Sequence, residues 1–101
     1  LGLGGSINIS NDHAVAQAAH GSAPDIAGKN IANPIAHILS AQMLLNWHAE
    51  RDGNSQLATA AKHLDATIDD VLADSSNHTV DIGGGKGTLE LGEILVKAIE
   101  R

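Results

Sequence analysis

Between His20 and Pro34 the chain reads His-Gly-Ser-Ala-Pro-Asp-Ile-Ala-Gly-Lys-Asn-Ile-Ala-Asn-Pro, and this run decides how the rest can fold. Gly21, Pro24 and Gly28 interrupt any regular element, so the run separates a strand-like start from a helix-rich remainder. It ends in a helix start. Asn33 is a favoured N-cap, and Pro34 at the first helical position has a preset φ and no amide hydrogen to waste. Its small residues let the backbone approach a flat ligand, and glycine permits unusual φ. Asp25 sits in the middle behind Pro24, which stiffens the turn. A carboxylate only accepts, so it can take hydrogen bonds from two adjacent hydroxyls, as on a ribose. It also repels phosphate: at ~4 Å and an effective dielectric of about 20, each unit of like charge costs roughly 4 kcal/mol before screening. Read locally, Asp25 is better explained as an ordinary turn residue, since Asp and Pro are common turn formers.

The flanks read as follows. Over residues 1–20, Ile7 and Ile9 alternate with polar neighbours and Asn11-Asp12 signals a turn, which predicts strand, turn, strand. The stretch Ala14–Ala19 fits strand or helix by composition alone, because alanine favours helix. A long helix is expected from Pro34 to about Arg51, with Ile35, Ile38, Leu39, Met43, Leu44, Leu45 and Trp47 covering more than one face, the mark of burial on several sides. Asp52-Gly53 ends it, with glycine suited to a left-handed cap. A second helix, capped by Asn54 or Ser55, is expected to about Ala73, because Leu57, Ala61, Leu64, Ile68, Val71 and Leu72 recur at three- and four-residue spacing. Asp69 and Asp70 fall on its solvated face. Asp74–Asn77 reads as a loop, Thr79–Ile82 as a short β-branched strand and Gly83–Gly87 as a turn. Thr88 is expected to cap a last helix, with Glu90 and Glu93 near its positive end.

Composition narrows the function classes. Residues of the AVILMFWYC set make up 43% of the chain, but Trp47 is the sole aromatic, so the core must come from Ala, Ile, Leu and Val. A chain of this length forms at most one domain and buries a low fraction of its surface. The net charge of −6 argues against nucleic acid and against anionic membrane surfaces, both of which demand Lys and Arg. Without cysteine there is no disulfide framework and no thiolate chemistry. No apolar run approaches transmembrane length and no signal peptide is visible, which together point to the cytoplasm.

Two tempting motifs fail. Gly83–Lys86 invites a phosphate-loop reading, but Gly87 follows the lysine where Ser or Thr should stand. The histidines at 13, 20, 37, 48, 63 and 78 include no i, i+4 pair and no cysteine assists them, so a zinc site is not expected; His48 and His63 read as helix-surface residues.

The whole run from His20 to Pro34 resembles the adenosine-binding loop of the β-decarboxylating dehydrogenases, which include isopropylmalate, isocitrate, homoisocitrate and tartrate dehydrogenases. Gly4–Ile9 is similar to the family's strand before that loop. Thr79–Gly84 with Gly87-Thr88 is similar to its C-terminal strand and turn. The resemblance favours strand for Ala14–Ala19. It implies an α/β fold: a single segment, 1–101, the C-terminal part of a cofactor-binding domain, with a few short strands and the adenosine loop in 1–33 and three helices with one short strand in 34–101. It implies NAD as cofactor, with His20 near the adenosine, Gly21, Ser22, Ala23, Pro24 and Ile26 forming the loop, Asp25 on the ribose hydroxyls and Asn33 at the adenine. NADP-using members typically carry Lys-Tyr where this chain has Asp25-Ile26. One departure is the stretch Gln17-Ala18-Ala19, where many members have Glu-Pro-Val.

The resemblance implies an enzyme that oxidatively decarboxylates a small-molecule 2-hydroxy acid of the isopropylmalate or isocitrate type. That reaction needs a base, an acid and a divalent metal, Mg or Mn, to polarise the forming ketone. This chain has no tyrosine, and its arginines, Arg51 and Arg101, form no substrate-like cluster. The metal aspartates of the family would lie before residue 1. Neither catalytic nor metal residues are therefore assigned within the chain, which is expected to be inactive alone, to accompany the remainder of its enzyme or to self-associate, and to work as a homo-oligomer such as a dimer. A non-catalytic regulatory subunit or nucleotide-binding module of the same family is the alternative.

Overall fold

The computed structural model describes residues 2–100, so Arg101 lies outside the described residues. Strands β1 (Gly5–Ile9) and β2 (Ala14–Ala18) form an antiparallel hairpin in which Ile7 faces Ala16 and Asn8 faces Val15. The Asn11-Asp12 turn closes it, with the Ser10 amide donating to the His13 carbonyl at 2.8 Å. The alternation sorts side chains by face. Ala14, Ala16 and Ala18 are half-buried while Val15 and Gln17 are exposed, so the alanines of β2 act as strand residues that admit a helix close by.

That helix is α1 (Ile35–Asp52). A Cβ added to Gly5 would stand 3.1 Å from the Ser40 nitrogen, so β1 rides on the helix backbone and glycine is required there. The buried Ser40 hydroxyl reaches the carbonyls of Gln17 at 2.7 Å and Ala36 at 2.8 Å, tying β2 to the helix. At the other end of α1, Arg51 donates to the Asp12 carbonyl at 3.0 Å and to its carboxylate at 3.2 Å, which clamps the hairpin turn. The Arg51 guanidinium also lies 5.5 Å from the Trp47 ring centroid, and Trp47 meets His48 edge to face.

Gly53 adopts φ 62° and lets the chain reverse into α2 (Ser55–Ala73). Asn54 caps α2: its side-chain oxygen accepts from the amides of Gln56 at 3.0 Å and Leu57 at 3.1 Å. Helix α3 (Thr88–Ile99) packs on α2. The apolar core lies among the three helices, from Ile35 of α1, Ile68 and Val71 of α2, and Leu91 and Leu95 of α3. Hairpin, α1, α2 and α3 thus pack in succession, and the molecule measures 40 × 32 × 18 Å.

The expected strand over Thr79–Ile82 is not formed. Val80–Ile82 is a turn of 3-10 helix, and only an isolated parallel bridge joins Thr79 to Lys86. β-Branched residues favour a strand only where a neighbour supplies a ladder. Here the chain folds back on itself: Gly83 takes φ 89°, the Gly84 amide donates to the Thr79 carbonyl at 2.8 Å, and the Lys86 amide donates to the His78 carbonyl at 3.0 Å. The Thr79 hydroxyl donates to the Asp81 carboxylate. The Asp74–Asn77 segment is likewise ordered by its own side chains, with Asn77 donating to the Val71 carbonyl at 3.0 Å and His78 to that of Leu72 at 2.7 Å.

Thr88 does not cap α3 as the sequence predicts. Its hydroxyl donates instead to the Ala32 carbonyl, at 2.5 Å. The Gly87 amide is taken by the Glu90 side chain at 3.1 Å, and the Leu89 amide donates to the side-chain oxygen of Asn30 at 2.9 Å.

Candidate functional site

The run that opened the sequence analysis forms one wall of an open cleft of 740 Å³. The loop leaves β2 and passes through a short 3-10 turn, Pro24–Ile26, entered through Ala23 in the left-handed region at φ 45°. A single such residue costs of order 1–3 kcal/mol and persists only where the surroundings hold it. Gly28 at φ 78° and Asn30 at φ 57° make two further left-handed positions, so the loop bends sharply three times. It closes at Asn33, whose carbonyl-type oxygen accepts from the Ile35 amide at 3.0 Å. This is the cap bond that the Asn-Pro pair predicts.

Of the residues singled out in the sequence, His20, Gly21, Ser22, Ala23, Ile26 and Asn33 all line the cleft. Pro24 and Asp25 do not: they sit on the exposed outer side of the 3-10 turn, between Ala23 and Ile26. Asn33 is buried, 6% exposed, and its side chain is already committed, accepting from Ile35 and donating to the Asp81 carboxylate at 3.2 Å. The Nδ1 of His20 lies 2.7 Å from the Gly21 carbonyl, which fixes the ring at the start of the loop.

The opposite wall comes from residues that local sequence reasoning did not single out: Asp81 from the turn after α2, and Thr88 and Leu89 from the first turn of α3. The signal for Asp81 was present in its Thr-Val-Asp-Ile context, but nothing local shows that Asp81 meets Asn33, 48 positions away. Leu89 is 69% exposed at the rim. Together with Ile26 and Ile31 it gives the cleft apolar walls. The arrangement suits a flat apolar ring with polar substituents: apolar walls with the Asp81 carboxylate among the lining groups.

A Cβ added at Gly21 would meet no protein atom within 4 Å, and the same holds for Gly28. Packing within this chain therefore does not demand glycine at 21. Among the described residues no three His, Asp, Glu or Cys converge as metal ligands. No described helix is long and apolar enough to cross a membrane.

A family model described as isocitrate/isopropylmalate dehydrogenase matches residues 1–95. The chain belongs to the isocitrate/isopropylmalate dehydrogenase family. Relatives from distant organisms agree. It is 44% identical to the isocitrate/homoisocitrate dehydrogenase of Thermus thermophilus, over 99% of this chain and 28% of that protein. It is 41% identical to the 3-isopropylmalate/3-methylmalate dehydrogenase of Methanocaldococcus jannaschii, over 98% of this chain and 27% of that protein. It is 42% identical to the NAD isocitrate dehydrogenase catalytic subunit 5, mitochondrial, of Arabidopsis thaliana, over 89% of this chain and 22% of that protein. The chain thus spans about a quarter of the length of these dehydrogenases. Membership accounts for the α/β character of the fold.

Proposed function

We propose that the cleft holds the adenosine half of NAD in a dehydrogenase that oxidatively decarboxylates a 2-hydroxy acid of the isopropylmalate or isocitrate type. One observation carries the reading: six of the residues that the family loop implies, His20, Gly21, Ser22, Ala23, Ile26 and Asn33, line one cleft. Gly21, Ser22 and Ala23 supply backbone against the nucleoside, while Ile26 and Leu89 flank the base. His20 borders the adenosine, Asn33 braces the base end of the cleft, and Asp25, exposed between the lining residues Ala23 and Ile26, accepts from the ribose hydroxyls. NAD, when bound, supplies the hydride acceptor; this chain's residues bind and orient it.

In this reading the segment, with its loop in 1–33 and its helices in 34–101, is the C-terminal part of a cofactor-binding domain. The reaction's base, acid and Mg or Mn ligands come from the remainder of the enzyme, since the described residues hold no metal cluster and the chain no tyrosine. The segment alone is inactive, and the enzyme is a cytoplasmic homo-oligomer. A non-catalytic relative that retains nucleotide binding is favoured only by Gln17-Ala18-Ala19, where Gln17 is exposed and its carbonyl is spent on Ser6 and Ser40.

Calorimetric titration with ADP-ribose tests the reading. Saturable binding is expected, weakened about tenfold or more by Asp25→Ala, the effect of losing charge-assisted hydrogen bonds worth about 1.5–3 kcal/mol; no binding to the unaltered protein overturns it. In the active enzyme, Asp25→Lys with Ile26→Tyr is expected to move preference from NAD toward NADP by removing a charge that repels the 2′-phosphate. An unchanged ratio of kcat/KM for the two cofactors refutes the role given to Asp25.

A further inference from the structure

Beyond its own turn bonds, the loop that forms the cleft is tied to the first turn of α3, through Asn30. The Asn30 carbonyl accepts from the Thr88 amide at 3.1 Å and its side-chain oxygen accepts from the Leu89 amide at 2.9 Å. Two residues on, the Ala32 carbonyl accepts from the Thr88 hydroxyl. A helix N-terminus carries amides without intrahelical partners, and here two of them are satisfied by a residue 58 and 59 positions earlier. The fit is close: a Cβ on Gly87 would stand 2.8 Å from the Asn30 carbonyl oxygen and equally near its side-chain nitrogen. Asn30 adopts φ 57° to do this, a conformation that Asn tolerates better than other non-glycine residues. Asn30, Thr88 and Leu89 all border the same cleft.

We infer that Asn30 is a positioning residue for the nucleotide site: it latches the loop 28–32 to the N-terminus of α3, so that docking of α3 and the binding shape of the loop are one event. The inference rests on the nucleotide reading for its functional consequence, and on the hydrogen bonds alone for the latch. Because Asn30 takes up the Thr88 and Leu89 amides, those two amides serve the loop and are not offered to an anion. Thr88 is the second bolt, acting on the Ala32 carbonyl just before Asn33.

Three variants separate this role from bulk stability. Asn30→Gly keeps the φ and the backbone carbonyl but loses the side-chain acceptor. Asn30→Asp keeps an acceptor of the same reach. Thr88→Val keeps the shape but loses the hydroxyl. Amide hydrogen exchange of the protein without ligand is expected to speed up in Asn30→Gly across residues 26–32 and at Leu89, with the amides of α1 beyond its first turn unchanged. Asn30→Asp is expected to restore the slow exchange. ADP-ribose affinity is expected to fall about tenfold in Asn30→Gly, less in Thr88→Val, and to recover in Asn30→Asp. Exchange that is the same in Asn30→Gly and the unaltered protein overturns the latch. Faster exchange with unchanged ADP-ribose affinity overturns its role at the site. If the unaltered protein binds no ADP-ribose, the nucleotide reading fails and the function assigned to Asn30 falls with it, while the exchange comparison still decides whether the loop is latched.

Discussion

At the scale of single residues, capping chemistry was the most legible part of the sequence and also the part that misled. Asn33 and Asn54 behave as their neighbours in sequence predict, because the amides they serve lie two or three residues ahead. Asn30 and Thr88 do not, because their partners lie 56 to 59 positions away; a hydroxyl before a helix looks like a cap until tertiary packing gives it another carbonyl. The exposed Asn54 cap makes the local rule measurable. Asn54→Ala is expected to cost about 1 kcal/mol of stability by urea denaturation, the usual value of an N-cap side chain, with the candidate cleft untouched since Asn54 lies at the far end of α1.

At the scale of elements, the three helices were readable from apolar spacing, while the connection between α2 and α3 was not. Helical periodicity is a property of the segment itself; a strand is a property of a segment and its neighbour. Thr79–Ile82 has β-branched composition but no ladder beyond the Thr79–Lys86 bridge, so its own turn chemistry prevails. The Pro24–Ile26 turn, by contrast, is the one that Pro24 and Asp25 signal, because its chemistry is local. Asp74 starts the α2–α3 connection. Its carboxylate accepts from the Ser76 hydroxyl at 2.8 Å and the Ser76 amide at 3.0 Å, and these bonds, the hydroxyl first, hold its pKa below the ordinary aspartate value. A depressed folded-state pKa stabilises the fold above the unfolded value, and that contribution is lost as pH falls through the folded pKa. Asp74→Asn is therefore expected to be less stable than the unaltered protein at neutral pH, with the gap in denaturation midpoint closing as pH falls below the ordinary carboxylate range. A gap that stays constant down to strongly acid pH refutes the assignment.

At the scale of the whole molecule, poverty in aromatic residues has the expected effect: the core is a small aliphatic cluster shared by three helices. Ile68, 1% exposed, stands in it between α1 and α3. Ile68→Ala is expected to cost about 2–5 kcal/mol, as for large-to-small core changes generally, and to lower the midpoint of urea unfolding without changing which residues protect their amides last. Half of the candidate cleft was readable, because a contiguous loop carries it; the other half was not, because Asp81, Thr88 and Leu89 are brought in by the packing of α3. The clamp at the far end of α1 has a spectroscopic consequence. Trp47 is the only indole and there is no tyrosine, so the ultraviolet emission of the chain is a single-probe signal. That probe sits about 18 Å along the helix from Ile35, at 1.5 Å rise per residue, against His48 and under Arg51. Its spectrum and lifetime report whether the hairpin turn is still fastened to the helix, and give a local optical clock for unfolding that is blind to events at the cleft.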